Sequence, residues 1–371
     1  MNHQNPPVKS GKVVLFQGHG KHLTMHQFPV RPLKKGEILV KNLYTTICGS
    51  DLHTFCGLRE EPLPTVLGHE MVGEIIEIES GHTGTDIRGR GLAVGDRITW
   101  AIFASDPDSP NALAGIPQKG GNVFKYGHAV AAGSDIFHGG LSEYCILKVN
   151  TGILKLPEGL PLPVASTLNC SISTVAGALR LAGQINNKNI LITGMGHLGI
   201  TCAAMCRDAG AAWIIAADIK DKRLAEALHF GADDILHLQG DDHQRMESMR
   251  RKLQGKSIDV VFDMSGSTDA MELGLQHLAI GGTAVWIGAV FKTRPLRIMP
   301  EAIIRNLLTI RGLHNYNYAD FEYALDFIER NWNKYPFEQA VEKEFPLHQA
   351  EEAFGYAISN RPFRVGVRMQ P

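Results

Sequence analysis

The sequence predicts an α/β protein: a doubly wound parallel sheet joined to a second, discontinuous, β-rich domain. Three observations predict it. From Lys188 to Asp218 a short apolar run, a glycine-spaced turn, a helical pattern and a second apolar run follow one another without interruption. Strand-like and helical patterns then keep alternating as far as Gly312, the rhythm of parallel strands with crossover helices. Before Lys188, by contrast, Val13 to Phe16 and Glu37 to Leu43 read as strands, punctuated by Pro32 and Gly36, in the manner of antiparallel sheet.

At 371 residues the chain is too long for one ordinary domain. The expected division is 1–171 with 313–371 for the β-rich domain, and 172–312 for the parallel sheet. A hydrophobic content of 44% and a charged content of 20% suit a globular protein with sizeable cores. A net charge of −1 gives no reason to expect nucleic acid or an anionic membrane as partner. No apolar stretch is read as long enough for a membrane span. Residues 1–12 lack the apolar core of a secretory leader, so the cytoplasm is the expected location. Six cysteines in so long a chain read as reduced thiols rather than a disulfide framework.

Within the parallel unit, Ile190, Leu191 and Ile192 form a strand apolar on both faces. Gly194, Gly196 and Gly199 follow with G-x-G-x-x-G spacing around Met195, His197 and Leu198. The first glycine permits a tight turn, the second lets backbone approach a pyrophosphate, and the third lets helix pack on strand. The helix N-terminus offers free N–H groups to phosphate. Asp218 closes the next strand about 20 residues further on, where a carboxylate takes the adenosine ribose hydroxyls. The turn alone would mean little in a chain with 39 glycines. Strand, turn, helix, strand and acid in register predict a Rossmann-type dinucleotide site. Asp218 would repel a 2′-phosphate, so NAD is expected, while Lys220, Lys222 and Arg223 leave NADP open. Further strands are expected at 258–263, 283–288 and 308–312, with helices at 222–230, 268–278 and 300–306. After Leu313, a helix over 321–331 and a closing strand over 363–368 return the chain to the β-rich domain. The active site is expected in the cleft between the domains.

Two clusters stand out in the β-rich half: Ile47 to His53, with Cys48, Ser50, Asp51 and His53, and Leu67 to Glu74, with His69 and Glu70. Cysteine and histidine are zinc ligand types, and three protein ligands with one open position make a catalytic zinc. Cys170, just before the dinucleotide unit, is the candidate third ligand. By spacing alone each reads more readily as a buried thiol or a satisfied histidine than as a metal ligand.

Cys48-Gly49-x-Asp51, Gly68-His69-Glu70-x-x-Gly73, the Gly95-Asp96-Arg97 turn, Gly140-x-x-Glu143-Tyr144, Cys170 and the 194–199 turn occur in one order. That order resembles the zinc-containing medium-chain alcohol dehydrogenases, over nearly the whole chain. The resemblance implies a GroES-like catalytic domain and a catalytic zinc held by Cys48, His69 and Cys170. It implies a proton relay at Ser50 and His53, and an acid at Asp51 that orients the histidine ligand. Glu70 becomes an acid behind the metal, able to approach it when water leaves. Arg364 is implied to meet the pyrophosphate and Arg223 to lie beside the adenosine, with Thr174, His197 and Leu198 also at the cofactor. The reaction implied is oxidation of an alcohol made acidic by zinc, with hydride passing to the nicotinamide.

One departure is plain. Relatives of this type often carry four close cysteines around a structural zinc, and the corresponding stretch, 100–140, contains none. One zinc per chain is therefore expected. In the same stretch, Gly115 to Lys119 and Lys125 to His128 resemble a subgroup associated with phosphonate catabolism, though Gly120 stands where that subgroup has a cysteine. A hydroxyalkylphosphonate or related polar alcohol is the substrate this implies. A polyol or other alcohol dehydrogenase, or a zinc-free quinone or enone reductase of the same fold, are the alternatives; a nucleotide-binding protein without turnover is a third. A homodimer or homotetramer is expected. Cys56, Cys145, Cys202 and Cys206 read as structural thiols.

Overall fold

A computed structural model describes residues 9–369 and divides them into two compact units. The first runs up to Cys170 and adds Asn317–Leu325 and the chain from Phe337 onward; the second is Ser171–Tyr316 with Asp326–Pro336. The tail beyond 313 is thus shared, since the middle of the helix Tyr318–Asn331 changes unit.

The second unit is built on six parallel strands: β9 (Asn189–Thr193), β10 (Trp213–Asp218), β11 (Asp234–His237), β12 (Ile258–Asp263), β13 (Leu278–Trp286) and β14 (Thr309–Gly312). Their order is β11-β10-β9-β12-β13-β14. The chain therefore winds outward in one direction from β9, then returns past it at β12, and the switch point falls between those two strands. Ile190, Leu191 and Ile192 are wholly buried in β9, and each contributes roughly 1.5–3 kcal/mol through that burial. Across the switch point, Thr193 Oγ1 donates to Asp263 Oδ1 at 2.8 Å, so the ends of β9 and β12 are tied together. The patterned elements form within a few residues of where periodicity places them. Strand β11 and the helix Asp242–Leu253 escape that reading. The strand is only four residues long, and the helix carries apolar side chains at Met246, Met249 and Leu253 alone.

The first unit holds a hairpin, β1 (Ser10–Leu15) with β2 (Thr24–Pro29), and a larger sheet. Its backbone is β3 (Ile38–Ile47), β4 (Glu70–Ile78) and β5 (Arg97–Asp106), with β6 (Gly121–Lys125), β7 (Tyr144–Leu147) and β8 (Thr151–Lys155) paired on them. Two strands from the C-terminal end, β15 (Val341–Pro346) and β16 (Arg364–Arg368), complete it, with β16 antiparallel to β3. This return is what makes the unit discontinuous.

One expectation needs correction. The helical run Leu162–Ala182, 21 residues, is apolar and long enough to cross a membrane. Its most apolar window is 83% buried in the protein, so it is a core helix. A π-type turn at Leu168–Ile172 interrupts it, and that turn carries Cys170. Such turns often mark functional positions.

Candidate metal centre and dinucleotide turn

Three segments of the first unit converge. Strand β3 ends at Ile47, and Cys48 is the N-cap of the seven-residue helix Gly49–Phe55. His69 immediately precedes β4, and Cys170 projects from the π-type turn. The ligand atoms of Cys48, His69 and Cys170 all lie within 4.8 Å of one another.

Asp51 makes that convergence exact in orientation. Its Oδ2 accepts the Cys48 amide at 2.9 Å, while Oδ1 accepts the Gly68 amide at 3.1 Å and faces His69 Nδ1 at 3.1 Å. One fully buried carboxylate thus ties both ligand segments together and commits Nδ1, which leaves Nε2 for a metal. Asn169 pins the strand from the other side: its Nδ2 donates to the His69 and Trp100 carbonyls at 3.0 and 2.9 Å, and its Oδ1 accepts the Met71 amide at 3.3 Å. The hydrogen bond from Cys170, and then the charge of Arg364, hold the Cys48 thiol well below the usual thiol range despite its burial; Cys170 is pushed correspondingly up. Two thiols, one ready to ionise, and one carboxylate-oriented imidazole fit a Cys2His zinc site that keeps a fourth position open.

The expected relay residues lie on the same short helix. Ser50 Oγ is 3.3 Å from His69 Nε2, hence on the metal side of the ring. His53 is half-buried, and burial lowers its pKa. Glu70 is fully buried behind the ligands. Its carboxylate receives Arg364 Nε and Nη2, each at 2.7 Å, and the Thr46 hydroxyl at 2.6 Å. Burial pushes the Glu70 carboxyl up to about 7 against the pull of Arg364. Arg364, expected at the pyrophosphate, is placed on Glu70 with Nη2 3.7 Å from Cys48 Sγ.

In the second unit, Gly194 has φ +89°, and a Cβ there would meet Ser265 Cα at 2.6 Å. A Cβ on Gly199 would lie 2.1 Å from the Gly194 carbonyl oxygen. Gly196 is the N-cap of the helix His197–Asp208 and is open, its nearest neighbour Arg223 Nη1 at 4.0 Å from the Cβ position. Asp218, at the end of β10, receives the Met195 amide at 2.6 Å and those of Ile219 and Lys220 at 2.7 and 3.0 Å. Its carboxylate thus shapes the turn as well as facing it. Leu198 lies half-buried in the first helical turn, and Thr174 is buried in the helix Ser173–Ala182. His197 is buried, with Nδ1 2.9 Å from Ser171 Oγ, the residue after Cys170. Sequence reasoning missed Ser171 and Asn169 as site residues; their only signal is that they flank Cys170.

Residues 34–158 match the alcohol dehydrogenase GroES-like domain, and residues 197–330 match the zinc-binding dehydrogenase domain. An alcohol dehydrogenase of Malus domestica is 27% identical over 369 residues, covering 95% of each chain. An L-threonine 3-dehydrogenase of Coxiella burnetii is 26% identical over 347 residues, covering 92% of this chain and 95% of that one. The solved structure of an alcohol dehydrogenase from Thermotoga maritima superposes with a TM-score of 0.90 at 23% identity, covering 97% of this chain and 99% of that one. The chain belongs to the zinc-containing medium-chain alcohol dehydrogenase family. It is an oxidoreductase acting on CH–OH groups, with zinc and NAD(P) as cofactors.

Proposed function

We propose that the protein oxidises a small alcohol carrying an anionic group, a hydroxyalkylphosphonate, with NAD as the acceptor. The observation that carries the chemistry is the meeting of Cys48, His69 and Cys170 within 4.8 Å, with Ser50 Oγ beside the free nitrogen of His69. Bound there, zinc supplies Lewis acidity at an alcohol oxygen, and the nicotinamide supplies a hydride acceptor. The chain's own part is to orient and to move a proton. Asp51 fixes the His69 tautomer. Ser50 takes the alcohol proton on Oγ and hands its own to His53. Burial keeps His53 neutral, and so able to accept, at neutral pH.

Charge supports the anionic substrate. Lys125 is pushed down to about 8, first by burial and then by the charges of Lys119 and Arg59, with Glu61 opposing. Lys125, at the end of β6 and two residues from the Gly127 that packs on His69, thus has two further cations and one acid within reach of its charge, an arrangement that suits an oxyanion. Asp218 favours NAD over NADP. Self-association is supported by the edge strand β14 and the exposed Ile280, Met299, Ile304 and Leu307 around it. Oxidation of hydroxyalkylphosphonates compared with their uncharged alcohol counterparts tests the substrate. Equal kcat/KM for the two sets would refute it. Light scattering of the purified protein tests assembly, and a monomer would refute the dimer or tetramer.

A further inference from the structure

We infer that His128, anchored by Glu61 and Arg59, is a positioning residue for His69, holding the face of an imidazole whose edge is held by Asp51. The inference rests on Cys48, His69 and Cys170 being metal ligands.

The His128 and His69 rings lie with centroids 4.9 Å apart and planes 32° from parallel. His128 is buried. Its Nδ1 stands 3.0 Å from Glu61 Oε1, and Arg59 Nη2 forms an ion pair with the same oxygen at 2.6 Å. Glu61 is itself nearly buried, and a buried carboxylate is tolerable only with such partners. The backbone ties both ends of this strap to the metal centre. The Arg59 amide donates to the His53 carbonyl at 3.2 Å, in the turn that ends the helix bearing Ser50, Asp51 and His53. At the other end, residues 125–128 form a tight turn, with the His128 amide 3.3 Å from the Lys125 carbonyl. Gly127 in that turn has φ +76° and lies directly on the ligand segment: a Cβ there would be 2.5 Å from the Gly68 oxygen and 3.0 Å from His69 Cβ. Nothing larger than glycine lets the turn approach so closely.

The physical need is clear. The torsion that orients a histidine ring is broad and poorly fixed by rotamer preference. Asp51 restrains that torsion through one contact of 3.1 Å on the edge of the ring, at Nδ1, and an edge contact alone leaves the ring a range over which to rock. A flat group packed on its face removes that freedom, and Glu61 and Arg59 fix the flat group in turn. Shells of this kind govern how tightly a metal is kept.

The test uses full-length, zinc-loaded protein with His128→Ala, His128→Phe and Glu61→Gln. It reads the rate of zinc release to a chromogenic chelator and the visible ligand-field bands of the cobalt-substituted protein. The expected result is zinc release faster by about tenfold or more in His128→Ala, with shifted cobalt bands. His128→Phe, which keeps a flat ring, restores both, and Glu61→Gln falls between. Parental zinc release and parental cobalt bands in His128→Ala would overturn the inference. So would a His128→Phe variant that behaves as His128→Ala while its metal-free form melts at the parental temperature. If the parental protein takes up neither zinc nor cobalt, the metal centre itself is refuted, and the inference with it. That result is distinct from variants that leave a bound metal undisturbed.

Discussion

The guanidinium of Arg364 grips the carboxylate of Glu70 through two hydrogen bonds of 2.7 Å, and both side chains are buried. The pair joins β16 to the start of β4, 294 residues apart in sequence. It also fixes where Glu70 can go, since reaching the metal would require it to release both Arg364 and Thr46. Removing one partner leaves a buried charge uncompensated. Arg364→Met is expected to lower stability by about 3–5 kcal/mol, and Arg364→Met with Glu70→Gln to recover part of that loss. Urea unfolding of the single and double variants checks it.

Asp51→Asn keeps the shape of the carboxylate but alters what it can accept from Cys48, Gly68 and His69. Zinc affinity is expected to fall by about 10–100-fold, with the fold retained. Competition with a chelator of known affinity measures it.

Gly199→Ala would place a methyl group 2.1 Å from the Gly194 oxygen. The turn must open, and its amides then miss the phosphates. NADH binding, followed by fluorescence titration, is expected to weaken by at least about tenfold, or 1.4 kcal/mol, with zinc content unchanged.

His138 is 1% exposed, and neither ring nitrogen has a hydrogen-bond partner among the described residues. Burial, then the neighbouring His128, pushes it down to about 4, against about 6.5 in an unfolded chain. Above pH 6.5 both states are neutral at this site. As pH falls from there toward 4, the unfolded state binds a proton that the folded state refuses, so stability drops across that window by roughly 3 kcal/mol in full. His138→Phe is expected to flatten this part of the pH–stability curve. Denaturation midpoints at pH 7 and pH 5 for both proteins test it.

Much of this was legible in the sequence, and the reason is local. Ile190 to Asp218 carries its strand, turn, helix and acid within one contiguous stretch, so pattern alone locates it. Cys48 and Asp51 share a helical turn, and His69 abuts a strand; motif order assigns them. What pattern could not supply is pairing across sequence distance. Arg364 is an ordinary strand arginine until β16 docks on β3 and brings it to Glu70. His128 and Glu61 sit in irregular segments, where no periodicity says what faces what. The membrane-length apolar run at Leu162–Ala182 is broken in the sequence by Asn169, Cys170 and Ser171, whose polar and thiol groups serve the site.

The most direct test of the account is NAD reduction by purified protein over a panel of simple alcohols, polyols and hydroxyalkylphosphonates, before zinc removal, after it, and after zinc is restored. The account predicts turnover that disappears with the metal and returns with it, strongest on the hydroxyalkylphosphonates. Turnover indifferent to zinc, or none on any alcohol from a protein that binds NADH without metal, would contradict it.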